Sequence, residues 1–185
     1  MKNPMIFVDV DTQHDFIDPD GALAIPGALE IVPALRRLTR LAEAEGIPIL
    51  ATMDTHTPDD PEFSDFPPHC IQHTPGWNKI EATTSEKSAC VQKTTLDIFS
   101  NPSFADRIHE IAPRKAVVYG VATDYCVKYA VLGLCKIIPR VFIVEDAIRP
   151  VNPEEGRIAL EEMKAAGAVP ITSERVALML EEDGC

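Results

Sequence analysis

The chain is expected to fold as an α/β protein, a three-layer sandwich with a parallel sheet between two layers of helices. Short apolar runs alternate with longer amphipathic ones, which implies strands joined by helical crossovers. Two of the helical segments are also punctuated cleanly, one stopping at Gly46 and another opening with Pro153 and closing on Gly167. With 185 residues, 45% apolar and 25% charged, the chain has the length and composition of one domain that buries a substantial core.

Taken in order, "MIFVDV" (5–10) reads as a first buried strand. The segment 30–46, "EIVPALRRLTRLAEAEG", places Ile31, Leu35, Leu38 and Leu41 on one stripe of a helix. A second strand, "IPIL" (47–50), follows. Residues 52–87 then break the alternation, being rich in Pro, Asp, Thr and His. A loop this long inside a compact domain is usually functional or disordered, and three histidines, the single Trp77 and several carboxylates favour function. The alternation resumes with a strand at 89–92, a helix at 102–113, a strand at 116–121 and a helix at 124–135. A strand at 141–144, a helix at 153–167, a strand at 168–171 and a helix at 173–182 complete the pattern. No internal repeat or linker divides it, so residues 1–185 are expected to form a single domain with its candidate metal-binding loop at about 52–87.

Composition narrows the partners. A net charge of −12 argues against nucleic acid, which demands a concentrated basic surface. No apolar run approaches a membrane span, and "MKNPMIFVDVD" carries no signal-peptide core. Five scattered cysteines, at 70, 90, 126, 135 and 185, form no CxxC pair and suit a reducing, cytoplasmic setting.

The chemistry is expected where the strands end. Parallel strands project the residues that follow them from one edge, where ligands of such sheets bind. Asp11 follows the first strand, Asp54 and His56 the second, Lys93 the third, and Asp124 and Cys126 the fourth. Each has a bland reading: Asp11 as a turn cap, Lys93 as a solvated strand end, Cys126 as a small core residue. Together they are complementary. A thiol at the start of a helix is expected to ionise easily, Asp11 can take its proton, and Lys93 can stabilise the charge. Backbone N–H groups beside Cys126 would then form an oxyanion hole. In the loop, Asp54, His56 and His69 of "FPPHC" suit zinc, iron or manganese. Glu62 is the expected fourth ligand, with Asp59, Asp60, Asp65 and His73 as competitors. His14, His73 and His109 are expected to be surface or packing residues.

These residues resemble the nicotinamidase/pyrazinamidase branch of the isochorismatase-like cysteine hydrolases over essentially the whole chain. The resemblance is carried by "VDTQHDF", "GALAIPGA", "ATMDTHTPDDPEF", "FPPHC", "VQKTTLDIF" and "GVATDYCV". It implies a six-stranded parallel, Rossmann-like sheet and a triad of Asp11, Lys93 and Cys126. It also implies an oxyanion hole from the N–H groups of Ala122 and Cys126, and a cis peptide before Ala122. The implied metal, zinc before iron or manganese, is held by Asp54, His56 and His69 with Glu62 nearby. Phe16, Phe66 and Ala122 match substrate-pocket positions. The implied reaction is hydrolysis of nicotinamide, and of pyrazinamide, to the acid and ammonia; the family pattern is compatible with a homo-oligomer. Hydrolases of the family that act on other small amides or carbamoyl compounds generally lack the D-x-H…PPHC set, and they are the alternative. A silent metal-binding protein and a thiol-redox protein are the rivals from other classes. Two departures stand out: Glu62 replaces a histidine common in relatives, and Tyr125 precedes the cysteine where histidine is common.

Overall fold

Strands β1 (Met5–Val10), β2 (Ile49–Asp54), β3 (Ser88–Lys93), β4 (Lys115–Val121), β5 (Arg140–Arg149) and β6 (Val169–Ile171) form one sheet. Their order is β3-β2-β1-β4-β5-β6, and every pairing is parallel. The computed structural model describes residues 5–184; Met1–Pro4 and Cys185, which entered the reading of the N-terminus and of the cysteines, lie outside the described residues. Helices α1 (His14–Ile17), α2 (Val32–Glu45), α3 (Pro102–Ile111), α4 (Lys128–Leu134), α5 (Pro153–Ala165) and α6 (Ser173–Gly184) complete the frame.

The alternation of side chains along each strand divides the core in two. Phe7, Ile49, Val117, Tyr119 and Val144 face α2 and α6, meeting Leu35, Leu38, Ala42 and Val176. Their neighbours Ile6, Val8, Leu50, Val118 and Ile143 face the other way, against Phe104 and Ile108 of α3, Val131 and Leu134 of α4, and Met163 of α5. The three layers expected from the sequence are therefore present.

Several boundaries differ from the sequence reading, for physical reasons. Strand β2 begins later than the apolar run 47–50 and extends to Asp54, so the first residues assigned to the long loop belong to the sheet. Thr52 and Asp54 are buried there because side-chain partners satisfy them: Thr52 Oγ1 donates to Asp11 Oδ1 at 2.6 Å, and Asp54 receives Lys93. Strand β3 lies at the sheet edge, which leaves Cys90 and Gln92 exposed in a run expected to be buried. Strand β5 continues past residue 144, across a register shift opposite Val118 and Gly120. Gly120 has φ 119°, and a Cβ there would stand 2.0 Å from the Val10 carbonyl oxygen. Only glycine lets β1 and β4 approach so closely.

Candidate active site

From β1 the sheet grows outward through β2 to β3, then resumes on the other side of β1 with β4. The order thus reverses between β1 and β4, which opens a crevice at their carboxyl ends. Asp11 enters it directly from β1 with a left-handed backbone, φ 48°. Its N–H donates to Thr52 Oγ1 at 3.2 Å, and the same hydroxyl donates back to its carboxylate. The Asp11 side chain is thereby fixed before any ligand arrives.

Lys93, at the end of β3, turns inward and is buried. Its Nζ lies 2.8 Å from Asp11 Oδ2, 2.9 Å from Asp54 Oδ1 and 3.4 Å from Cys126 Sγ. Burial alone would lower the ammonium, but Asp11, Cys126 and Asp54 outweigh it and hold Lys93 well above its ordinary value. The acid, ammonium and sulfur expected from three separate strands therefore meet around one nitrogen.

Cys126 corrects one expectation. It sits in a π-type turn, Thr123–Val127, ahead of α4 and not in a regular first helical turn; Tyr125 inside it is non-helical at φ −122°, ψ −106°. Burial pushes the Cys126 thiol well above its ordinary value, Lys93 opposes this, and Asp11 and Asp54 reinforce it. Desolvation and two carboxylates thus oppose the easy ionisation expected at a helix start, and one ammonium favours it. The Val121–Ala122 peptide is cis. The Ala122 carbonyl accepts from Tyr125 N at 3.1 Å and Val127 N at 3.0 Å, which closes the turn. Both Asp124 carboxylate oxygens accept backbone N–H groups beyond β5, from Val151 at 3.0 Å and Asn152 at 2.9 Å.

A second cluster adjoins the first. Asp54, His56, Glu62 and His69 each bring one donor atom to within 4.8 Å of the others. Nε2 of His56 and of His69 lie 3.2 and 3.3 Å from the same oxygen, Asp54 Oδ2. His56 is buried, yet neither of its ring nitrogens makes a directed hydrogen bond, although carboxylate oxygens stand 3.0–3.2 Å away. Two imidazoles converging on one carboxylate, one with its ring nitrogens off any hydrogen-bond axis, fit a divalent ion better than a hydrogen-bond network. The electrostatics agree. Burial would raise Asp54, but Lys93 and the two imidazoles hold it well below the carboxylate range. Burial would lower His56, but Asp54, Asp60 and Glu62 push it up to about 9. Glu62 is raised by burial and by Asp54. Asp59, Asp60, Asp65 and His73 are not among the four donors.

The cluster is framed by groups that motif reading did not single out. Phe63 packs against both imidazoles, with ring centroids 5.4 and 5.8 Å away. Gln13 is fully buried and pairs with the Asp54 backbone as another strand would. Its Oε1 accepts Asp54 N–H at 2.7 Å, and its Nε2 donates to Asp54 O and Trp77 O, both at 2.8 Å. Trp77 is an anchor, its indole donating to Thr55 Oγ1 at 2.9 Å. His14 pairs with Asp18, and His73 packs on Trp77, as surface and packing residues do. Cys70 is buried with its thiol pushed up, its N–H held by Asp15.

Between the clusters lies a cavity of about 120 Å³. Asp54, Glu62, His69, Cys126, Ala122, Phe16 and Phe66 all line it. Leu23, Ile25, Leu96 and Tyr125, which lie in the quoted motifs without having been assigned to a pocket, and Val151, which lies in none, belong to the same wall. Among the described residues lining it there is no lysine or arginine.

Residues 5–175 match the isochorismatase domain, and the chain belongs to the isochorismatase family. Among its relatives, the nicotinamidase of Escherichia coli K12 is 28% identical over 211 aligned positions, covering 91% of this chain and 95% of that protein. The structure of a pyrazinamidase from Pyrococcus horikoshii in complex with zinc superposes with a TM-score of 0.85 at 29% identity, covering 91% of this chain and 98% of that one. An N-carbamoylsarcosine amidase from Thermoplasma acidophilum shares the fold, with a TM-score of 0.81 at 24% identity over 92% of this chain and 96% of that one. No described helix is long and apolar enough to cross a membrane.

Proposed function

We propose that this isochorismatase-like hydrolase is a metal-dependent cysteine amidohydrolase that converts nicotinamide to nicotinate and ammonia, and pyrazinamide by the same route. One observation carries the reading: a small apolar cavity is lined by a buried thiol and by Asp54, Glu62 and His69, three members of the Asp–His–Glu–His donor set. A flat, neutral ring carboxamide suits those walls. A substrate with its own carboxylate, such as a carbamoyl amino acid, would find no lysine or arginine on the lining and would face Asp54 and Glu62.

In the proposed mechanism Asp11 takes the Cys126 proton, and Lys93, in contact with both, favours the resulting thiolate. Sulfur attacks the carboxamide carbon, and the oxyanion is received by backbone N–H groups of Ala122 and Cys126. Collapse breaks the C–N bond while Asp11 returns its proton to the departing amine, releasing ammonia and leaving a thioester. Asp11 then takes a proton from water, the hydroxide adds to the thioester carbon and displaces sulfur, and Asp11 passes its proton to that sulfur; the carboxylic acid leaves, and the Asp11 carboxylate and Cys126 thiol are restored. A zinc ion held by Asp54, His56, His69 and Glu62 would supply a Lewis acid for a ring nitrogen; iron and manganese suit the same donors. Phe16 and Phe66 hold the ring by apolar contact.

Ammonia release from nicotinamide, pyrazinamide, benzamide and an N-carbamoyl amino acid tests the reading. Turnover of the two heteroaromatic amides is expected, with benzamide much slower for want of a ring nitrogen, and none in Cys126→Ala. Reaction with the carbamoyl compound alone would transfer the assignment to the other branch of the family. Unchanged turnover in Cys126→Ala would remove the nucleophile.

A further inference from the structure

We propose that Asp60 is a positioning residue of the metal centre, one carboxylate that selects the tautomer of His56 and sets the register of Glu62. The inference rests on the metal-site part of the proposed function and on no particular substrate. Asp60 lies outside the four convergent donors, immediately behind them. Its Oδ1 accepts the backbone N–H of Glu62 at 2.9 Å, capping the 3₁₀ turn Pro61–Ser64 on which Glu62 rides. Its Oδ2 stands 3.0 Å from Nδ1 of His56. One side chain thus touches two of the four residues, one on either side of it in the chain.

The contact with His56 decides which nitrogen keeps its proton. If Nδ1 carried the lone pair, its partial negative charge would stand 3.0 Å from an anionic oxygen, a repulsion that does not require the oxygen to lie on the N–H axis. With the proton on Nδ1 the contact is attractive, and the lone pair moves to Nε2, on the cluster side, 3.2 Å from Asp54 Oδ2. His69 solves the same problem with a neutral partner: its Nδ1 lies 2.8 Å from the Pro67 carbonyl oxygen, leaving Nε2 to the cluster. The two imidazoles are therefore buttressed unequally, one by a carboxylate and one by a carbonyl. A carboxylate partner makes an imidazole the more basic ligand. His56, backed by Asp60, is accordingly the stronger donor of the pair.

The experiment measures zinc affinity of the full chain by competition with a chromophoric chelator, in wild type, Asp60→Asn and Asp60→Ala. Asp60→Ala removes both contacts and is expected to weaken zinc about 10- to 100-fold. Asp60→Asn keeps an oxygen to cap Glu62 but loses the charge facing Nδ1, and its loss should fall between the two. Nitrogen-15 NMR of the zinc-loaded wild type supplies a readout that a merely structural role would not move. It should show His56 protonated at Nδ1 and metal-bound at Nε2, with that pattern weakened in Asp60→Asn. Affinities within twofold of wild type in both variants, or a wild-type His56 bound through Nδ1, would overturn the proposal. Weakened zinc binding in a protein inert to nicotinamide would uphold it while removing only the substrate assignment.

Discussion

Replacing Lys93 with methionine tests the charge balance around which the candidate site is built. The substitution keeps the length of the side chain and removes the only ammonium, among the described residues, within contact of Asp11, Asp54 and Cys126. With an effective dielectric of about 20, each carboxylate contact is worth about 6 kcal/mol in Coulomb energy. Freedom from burying the ammonium returns several kcal/mol, and breaking buried pairs of this kind costs about 3–5 kcal/mol. For a chain of this length that corresponds to a melting temperature lower by about 6–20 °C. The thiolate that the proposed reaction needs loses its one countercharge, and a loss of about 100- to 10,000-fold in amide turnover follows. Thermal unfolding of chelator-treated protein and ammonia release from the metal-loaded enzyme measure the two effects. A double variant, Lys93→Met with Asp54→Asn, should recover part of the stability and none of the activity. Wild-type melting together with wild-type turnover in Lys93→Met would refute the reasoning outright.

Two further outcomes follow from the same contacts. Because burial, Asp11 and Asp54 raise the Cys126 thiol against the pull of Lys93, its alkylation by iodoacetamide should stay slow near pH 8.5, about where an ordinary thiol is half ionised, and climb as pH rises further. Peptide mapping of the alkylated protein gives the rate at each pH, and a rate already level below about pH 8 contradicts the raised thiol. At Gly120, alanine would drive a Cβ into the Val10 carbonyl at a φ that L-residues rarely adopt. Gly120→Ala should lower stability by about 3 kcal/mol or more, read from the denaturant midpoint; an unchanged midpoint would show that β1 and β4 can part without cost.

The contrast between what could and could not be read in the sequence has a physical basis. Strand ends were legible because parallel strands commit the following residues to one edge, which is how Asp11, Lys93 and Cys126 could be grouped before any coordinates. Strand limits were less so: Thr52 and Asp54 look like loop residues until their partners, Asp11 and Lys93, arrive from elsewhere in the chain. The forces opposing ionisation of Cys126 were hidden for a related reason. Position near a helix start is a local cue, whereas desolvation and the Asp54 charge are tertiary facts. Leu23 and Leu96 sit inside quoted motifs that do not mark them as wall residues, and Val151 sits in none, since an apolar wall is chosen by shape and many hydrophobes can supply it. Asp60 was visible as an acid in the candidate metal-binding loop; only the fold separates the convergent donors from a residue that stands behind them.

The grip of Asp124 on Val151 and Asn152 bears on how such a pocket can diversify. The cysteine's turn and the wall facing it are fastened by a single carboxylate, so they translate as one rigid jaw. Selectivity on that side can drift only through exchange of side chains such as Val151 or Tyr125, because any slackening of the backbone would drag the sulfur with it. The opposing jaw, residues 55–80, meets the cysteine's turn through the ring contact of Phe66 with Tyr125 and not through a backbone clasp, and insertions that admit larger rings have their open route there.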